Sequence, residues 1–350
     1  MFVMLVKITQ KEDQTMKINI REWINSISNS NQRPAMPIMT YPGLKLANKS
    51  IIDIIKNGED QFKCIYELSK KYPSGAAMTI MDLSVEAEIF GSHIRYSSDE
   101  VPAVTGSIID GESSAKGLQI PQPGSGRTGA YIQAAALSAQ IINDRPSFGG
   151  QIGPFSLACR LYDMTEIMVA LFDEPDTVHI VLDKATAFLI SYAKAFKGAG
   201  ANGIIMAEPA AGLLSPDQCT EFSSIYVKKI VDAVQDDSFI VILHNCGNTV
   251  KLIPSMLSTG ALGFHFGNAV DMMDILPQMP SDRLASGNID PARVFKNGTA
   301  EDVRQKTREL IEKTAGYRNF VISSGCDIPP GTPIENIEAF FETVKSSNKV

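Results

Sequence analysis

His244 and Cys246 stand two residues apart at the end of the apolar run FIVILHNCGN. Side chains at i and i+2 of a strand share a face, so this imidazole and this thiol leave the chain together. A soft thiolate beside a borderline imidazole is a donor pair that Zn²⁺ prefers, and three protein ligands with one position open mark a catalytic zinc site. Cys326, in VISSGCDIPPGTP just past another apolar run, is the candidate third ligand. The HxC pair alone also fits a histidine and a cysteine packed at a strand end; a second cysteine at a matching position favours metal. His265, in GFHFGN, reads either as a group facing the same site or as a hydrogen-bonded core histidine. His93 and His179 have no companion group close in sequence.

Two carboxylates fall at similar places. Glu208 closes GIIMAEP and reads as a fourth metal ligand when substrate is absent, as a catalytic base, or as a carboxylate at a helix N-terminus. Asp82 ends a run in TIMDLSVEAEIFG as a candidate catalytic or ligand-contacting group. Glu86 and Glu88 follow where a helix should begin, and charging that helix start is their simplest role. Of the other cysteines, Cys64 lies in a helical pattern, Cys159 ends an apolar run read as a strand, and Cys219 follows Pro216 in a helix start. Each reads as a small buried hydrophobe.

The elements that must carry these groups recur as short apolar runs, each followed by a segment with helical spacing. The runs are Ala35–Tyr41, Gly75–Ser84, Gly150–Cys159, Gly203–Pro209, Phe239–Gly247, Gly260–Gly267, Leu284–Ile289 and Phe320–Gly325, eight in all. Val178, Leu182, Ala185, Leu189, Tyr192 and Phe196 mark one helix by their steps of three and four. Thr299 with Asp302 three residues on opens another. Eight strands alternating with helices predict an α/β fold: a single (β/α)8 barrel over residues 19–350, behind a lead of residues 1–18 and with a helical N-terminal extension. An open doubly wound sheet is the alternative, but no GxGxxG follows a strand. In a barrel, His244, Cys246, Cys326 and Glu208 meet at the carboxyl ends of the strands, which form the catalytic mouth. Residues 92–130, rich in Gly, Ser and Pro, read as an insertion loop over one face. Its glycines Gly124, Gly126 and Gly129 resemble a phosphate loop only weakly, since no Lys-Ser/Thr pair follows.

Composition narrows the class. The 350 residues are 44% hydrophobic and 20% charged, as in ordinary globular proteins. Thirty-two basic against 39 acidic residues give a net charge of -7, and no basic stripe is present, which argues against a nucleic-acid partner. The opening MFVMLVKITQ is too short and wrongly flanked for a signal peptide or a membrane span, so a cytoplasmic protein is expected. Five cysteines suit metal binding or burial better than disulfides in such a compartment.

The segments DLSVEAEIFG, GPFSLACRL, GAGANGIIMAEPAAGLLSP, HNCGN, SGNIDP and GCDIPPGTPIENI together resemble the uroporphyrinogen decarboxylase superfamily, from about Trp23 to the C-terminus. Within it the chain is similar to the cobalamin-dependent branch that includes methylcobamide:coenzyme M methyltransferases. The resemblance implies the uroporphyrinogen decarboxylase type of barrel, with His244, Cys246 and Cys326 as zinc ligands. It also implies a reaction: a thiol such as coenzyme M, activated on zinc, takes the methyl group of a methylcorrinoid, which a separate small protein carries. Asp82 matches an aspartate that decarboxylases use and would contact substrate or corrin. Arg160 and His265 are the other candidate cofactor-binding residues. The decarboxylases hold tetrapyrrole carboxylates with arginines after the first strand; RPAMPIMTYPGLKLANKS keeps only Arg33, before it. A uroporphyrinogen decarboxylase and a non-catalytic corrinoid- or zinc-binding barrel are the alternatives.

Overall fold

The computed structural model describes residues 18–98 and 100–348. The expected lead, with its apolar run and a second methionine at Met16, therefore lies outside the described residues except for Ile18. Nine strands are described: β1 (Ala77–Met78), β2 (His93–Arg95), β3 (Ala103–Thr105), β4 (Ser147–Ile152), β5 (Gly203–Ala207), β6 (Ile240–Asn245), β7 (Gly263–Phe266), β8 (Leu284–Ile289) and β9 (Phe320–Ser324). Seven form one parallel sheet in the order β1-β4-β5-β6-β7-β8-β9, while β2 and β3 make a separate antiparallel hairpin.

The stretch around Ala35 closes the barrel. Ala35 bridges both Ser74 and Ile322 in parallel sense, so it lies between β1 and β9 and supplies the eighth stave. Met36 N–H donates to Ile322 O (2.9 Å) and Gly75 N–H to Ala35 O (2.7 Å). The stave is irregular because Pro34 and Pro37 bring no N–H to a ladder. The expected strand over Ala35–Tyr41 is thus reduced to single bridges, although the residues are in place.

One expected strand is corrected. The run Gly150–Cys159 is a strand only to Ile152, and Pro154–Tyr162 is a helix with Pro154 in its first turn. Cys159 therefore sits on this helix. All but Arg160 of its residues are buried, which erases the periodic signal. The helices Pro175–Gly198 and Ala300–Lys313 lie where their spacing places them, the second opened by a Thr299–Asp302 capping box.

Residues 92–127 hold the β2–β3 hairpin and the short helix Glu112–Gly117 before the helix Thr128–Ile141. Lys184 fastens this stretch by donating to the carbonyls of Ala115 (2.8 Å) and Leu118 (2.8 Å). At the opposite end of the barrel the helix Ile20–Asn29 turns Ile20, Ile24 and Ile27 inward. They pack on Met36, Ile38, Phe148, Ile205, Ile242 and Val321, apolar residues of the staves. A larger apolar cluster fills the shell between strands and outer helices. No helix among the described residues is long and apolar enough to cross a membrane.

Candidate metal centre and its surroundings

His244 is the fifth residue of β6, Cys246 follows that strand, and Cys326 lies two residues past β9. The parallel ladder brings these ends to one mouth. The imidazole nitrogen and the two sulfurs lie within 4.8 Å of one another, and they form the group among the described residues able to hold a metal ion. His244 is buried while both thiols are partly exposed, so the set opens toward the mouth.

Local chemistry fixes each donor. Asn245 Nδ2 donates to Glu208 O (2.7 Å) and its Oδ1 accepts from Gly247 N–H (2.8 Å), which pins the turn bearing Cys246. The end of β7 comes so close that a Cβ on Gly267 would sit 2.4 Å from Cys246 Cα; only glycine fits there. Gly325 plays the same part for Cys326, where a Cβ would lie 2.7 Å from Asn268 N. Cys326 Sγ is 3.5 Å from His244 Nε2. The hydrogen bond from Cys326, with help from His244, holds the Cys246 thiol down to about 4, while Cys326 is pushed up as the partner that keeps the proton.

His265 sits behind this set rather than in it. Its Nδ1 is 2.8 Å from His244 Nδ1 and its Nε2 is 2.9 Å from Ser323 Oγ, so both ring nitrogens are engaged by protein. Burial first, then neighbouring His244, push it well below the ordinary histidine range. Its contacts in this structure are therefore with His244 and Ser323.

Glu208 is likewise engaged by protein donors. Its Oε1 accepts from Phe155 N–H (2.8 Å) and Ser223 Oγ–H (2.9 Å), and its Oε2 accepts from Ser156 N–H (2.9 Å). The carboxylate thus closes the N-terminus of the helix Pro154–Tyr162, where a negative charge is favoured. Burial pushes its carboxyl above the ordinary range against these hydrogen bonds. Glu208→Gln should destabilise the fold by about 1–3 kcal/mol, since an amide turns a donor toward donors. It should leave metal content unchanged; loss of metal in a folded Glu208→Gln chain would restore the ligand role.

Asp82 is used up in the same sense. Oδ1 accepts from Ser84 N–H (2.9 Å) and Ser84 Oγ–H (2.6 Å); Oδ2 accepts from Tyr131 O–H (2.7 Å) and from Arg127. Four donors thus occupy the Asp82 carboxylate. Arg127 also pairs with Glu88, donates to Ser84 Oγ (2.8 Å) and lies over the Tyr96 ring. Glu86 accepts from Ile152 N–H (2.9 Å), and burial pushes its carboxyl up to about 8. Neither Glu86 nor Glu88 merely charges a helix start. Arg127 stands in PGSGRTG: the glycine loop that weakly resembles a phosphate loop carries a guanidinium that points into the protein. Arg160 is partly exposed, and its side chain makes no hydrogen bond or ion pair among the described residues.

The fold and the site together define an α/β barrel with a histidine and two cysteines converging at its mouth. The chain belongs to the uroporphyrinogen decarboxylase (URO-D) family, whose sequence profile it matches over residues 32–347. It is 30% identical over 269 residues to the methylcobamide:CoM methyltransferase MtbA of Methanosarcina acetivorans, covering 76% of this chain and 78% of that one. It is also 26% identical to a methylated-thiol–coenzyme M methyltransferase of Methanosarcina mazei, over 78% of this chain and 72% of that one. To the uroporphyrinogen decarboxylase of Hydrogenovibrio crunogenus it is 26% identical, over 84% and 85% respectively. A solved methyltransferase from Methanosarcina mazei shares the fold with a TM-score of 0.83 at 22% identity, covering 94% of this chain and 98% of that one.

Proposed function

We propose that the chain is a zinc-dependent methyltransferase that moves a methyl group from a methylcorrinoid, carried by a partner protein, to a small thiol such as coenzyme M. The observation that carries this reading is the convergence of His244, Cys246 and Cys326 at the mouth. In a tetrahedral zinc site the usual bond lengths place a nitrogen and a sulfur about 3.6 Å apart, against 3.5 Å between His244 Nε2 and Cys326 Sγ. The donor chemistry and this separation suit zinc. Zinc held there would supply a Lewis acid that keeps a substrate thiol deprotonated at neutral pH.

The protein's own part is positional. His244, Cys246 and Cys326 would hold the ion, and the two cysteines lie on the partly exposed side, from which a thiol can approach. Asn245 and Gly267 hold the Cys246 turn rigid, so the acceptor is presented along one line. The transfer joins sulfur to the methyl carbon as the carbon–cobalt bond breaks, and the electron pair stays with cobalt. Two relatives whose names specify transfer to coenzyme M support the reading. A cytoplasmic location fits such a reaction.

A decarboxylase fits the geometry less well. Arg33 is spent at the far end of the barrel, donating to Thr314 O (2.6 Å) and Ala315 O (2.8 Å). Asp82 is enclosed by Arg127 and Tyr131. Neither can hold a tetrapyrrole. The test is a visible spectrum of purified protein with methylcobalamin and a panel of thiols. Decay of the methyl–Co(III) band with at least one thiol is expected, abolished by a chelator and restored by Zn²⁺. Indifference of the reaction to chelation would overturn the zinc assignment, and no decay with any thiol would overturn the activity.

A further inference from the structure

We propose that His265 and Ser323 act as positioning residues that lock His244 in the tautomer whose Nε2 is free to bind metal. The proposal rests on the zinc reading above and concerns groups that do not themselves touch the ion. His244 and His265 are direct register neighbours on β6 and β7, and their Nδ1 atoms are 2.8 Å apart. Two ring nitrogens that close share a single proton, so one donates and the other accepts.

The direction is set at the far end. Ser323 Oγ–H donates to Met36 O at 2.7 Å, and a carbonyl oxygen can only accept. The one serine proton is committed there, so Ser323 Oγ must accept from His265 Nε2–H, 2.9 Å away. A neutral His265 protonated at Nε2 has a bare Nδ1, which accepts from His244 Nδ1–H. A charged His265 would be buried with no anion in contact among the described residues, which is costly. The near end agrees. His265 O lies 3.3 Å from His244 Nδ1 and, as an acceptor only, also requires the proton on that nitrogen. Nε2 of His244 is then left with its lone pair, and Nε2 is the nitrogen that faces Cys326.

Metal-bound histidines usually donate their second N–H to a carboxylate or a carbonyl, and removing that partner weakens metal binding. An imidazole in this place fixes the tautomer without adding negative charge to a set that would carry two thiolates once zinc is bound. The relay also ties the metal end of β6 to β7, β9 and the irregular first stave through four residues.

The test compares zinc affinity, by chelator competition, in the full-length wild type and three variants. His265→Leu should bind zinc about 10–100-fold more weakly. Ser323→Ala should show a smaller loss, and His265→Asn, whose amide oxygen can replace Nδ1 as acceptor, should recover most of the affinity. Unfolding in urea shows which variants remain folded. A second readout needs no variant: with only four histidines, long-range ¹H–¹⁵N spectra of zinc-loaded wild type should show His244 as the Nδ1–H form and His265 as the Nε2–H form. The reverse tautomers, or undiminished zinc affinity in a folded His265→Leu chain, would overturn the relay alone. A wild type that binds no zinc would overturn the metal reading and the relay with it.

Discussion

Cys246→Ser and Cys326→Ser should each leave a folded barrel without stably bound zinc and with methyl transfer reduced to background. A serine oxygen is harder than a thiolate and stays protonated at neutral pH, so neither exchange preserves the donor set. The fold does not need the ion, because the strands that carry the ligands are held by the apolar clusters on both sides of the sheet. Far-UV spectra and urea midpoints should stay near wild type while zinc, measured on the desalted protein, falls well below one per chain. Full zinc occupancy in both variants would remove these sulfurs from the centre.

The second large effect belongs to Arg127. Its side chain and that of Asp82 are 7% and 1% exposed, and Glu88, Ser84, Tyr131 and Tyr96 complete the cluster. Burial opposes the Arg127 charge, but Asp82 and its neighbours outweigh that and raise its pKa. Arg127→Met should therefore cost about 3–5 kcal/mol, because it leaves a buried carboxylate without its counter-ion. The double change Arg127→Met with Asp82→Asn should recover part of the loss, since the charge goes with its partner. Urea unfolding of the wild type, the singles and the double measures both terms. A cost below about 1 kcal/mol for Arg127→Met would mean that the cluster is solvated in solution. Because Arg127 ends the inserted stretch and Asp82 lies just past β1, the same variant should free residues 97–126 to limited proteolysis.

How far the sequence carried depended on the range of each interaction. The helices Pro175–Gly198 and Ala300–Lys313 were readable because an amphipathic stripe and a capping box are local signals. The helix Pro154–Tyr162 was read as strand because burial on nearly every side removes any stripe. The first stave was overextended because its pairing is broken by Pro34 and Pro37. At the site, the strand geometry of His244 and Cys246 and the resemblance that supplied Cys326 pointed to residues that do converge. For Glu208, Asp82 and His265 the sequence indicates the neighbourhood but not the partners. Their roles rest on contacts with Phe155, Arg127 and Ser323, which lie 53, 45 and 58 residues away, and no spacing rule reaches that far.

The helix that turns Ile20, Ile24 and Ile27 into the lower end of the barrel stoppers it. The apolar side chains packed there fill the barrel beneath the site, so in the proposed reaction the acceptor and the carrier protein approach from the same face. For the proposed reaction the small acceptor must then load before the carrier docks, and the methylated product must wait for the carrier to leave. Steady-state kinetics should accordingly follow a compulsory order, with excess carrier blocking entry of the acceptor.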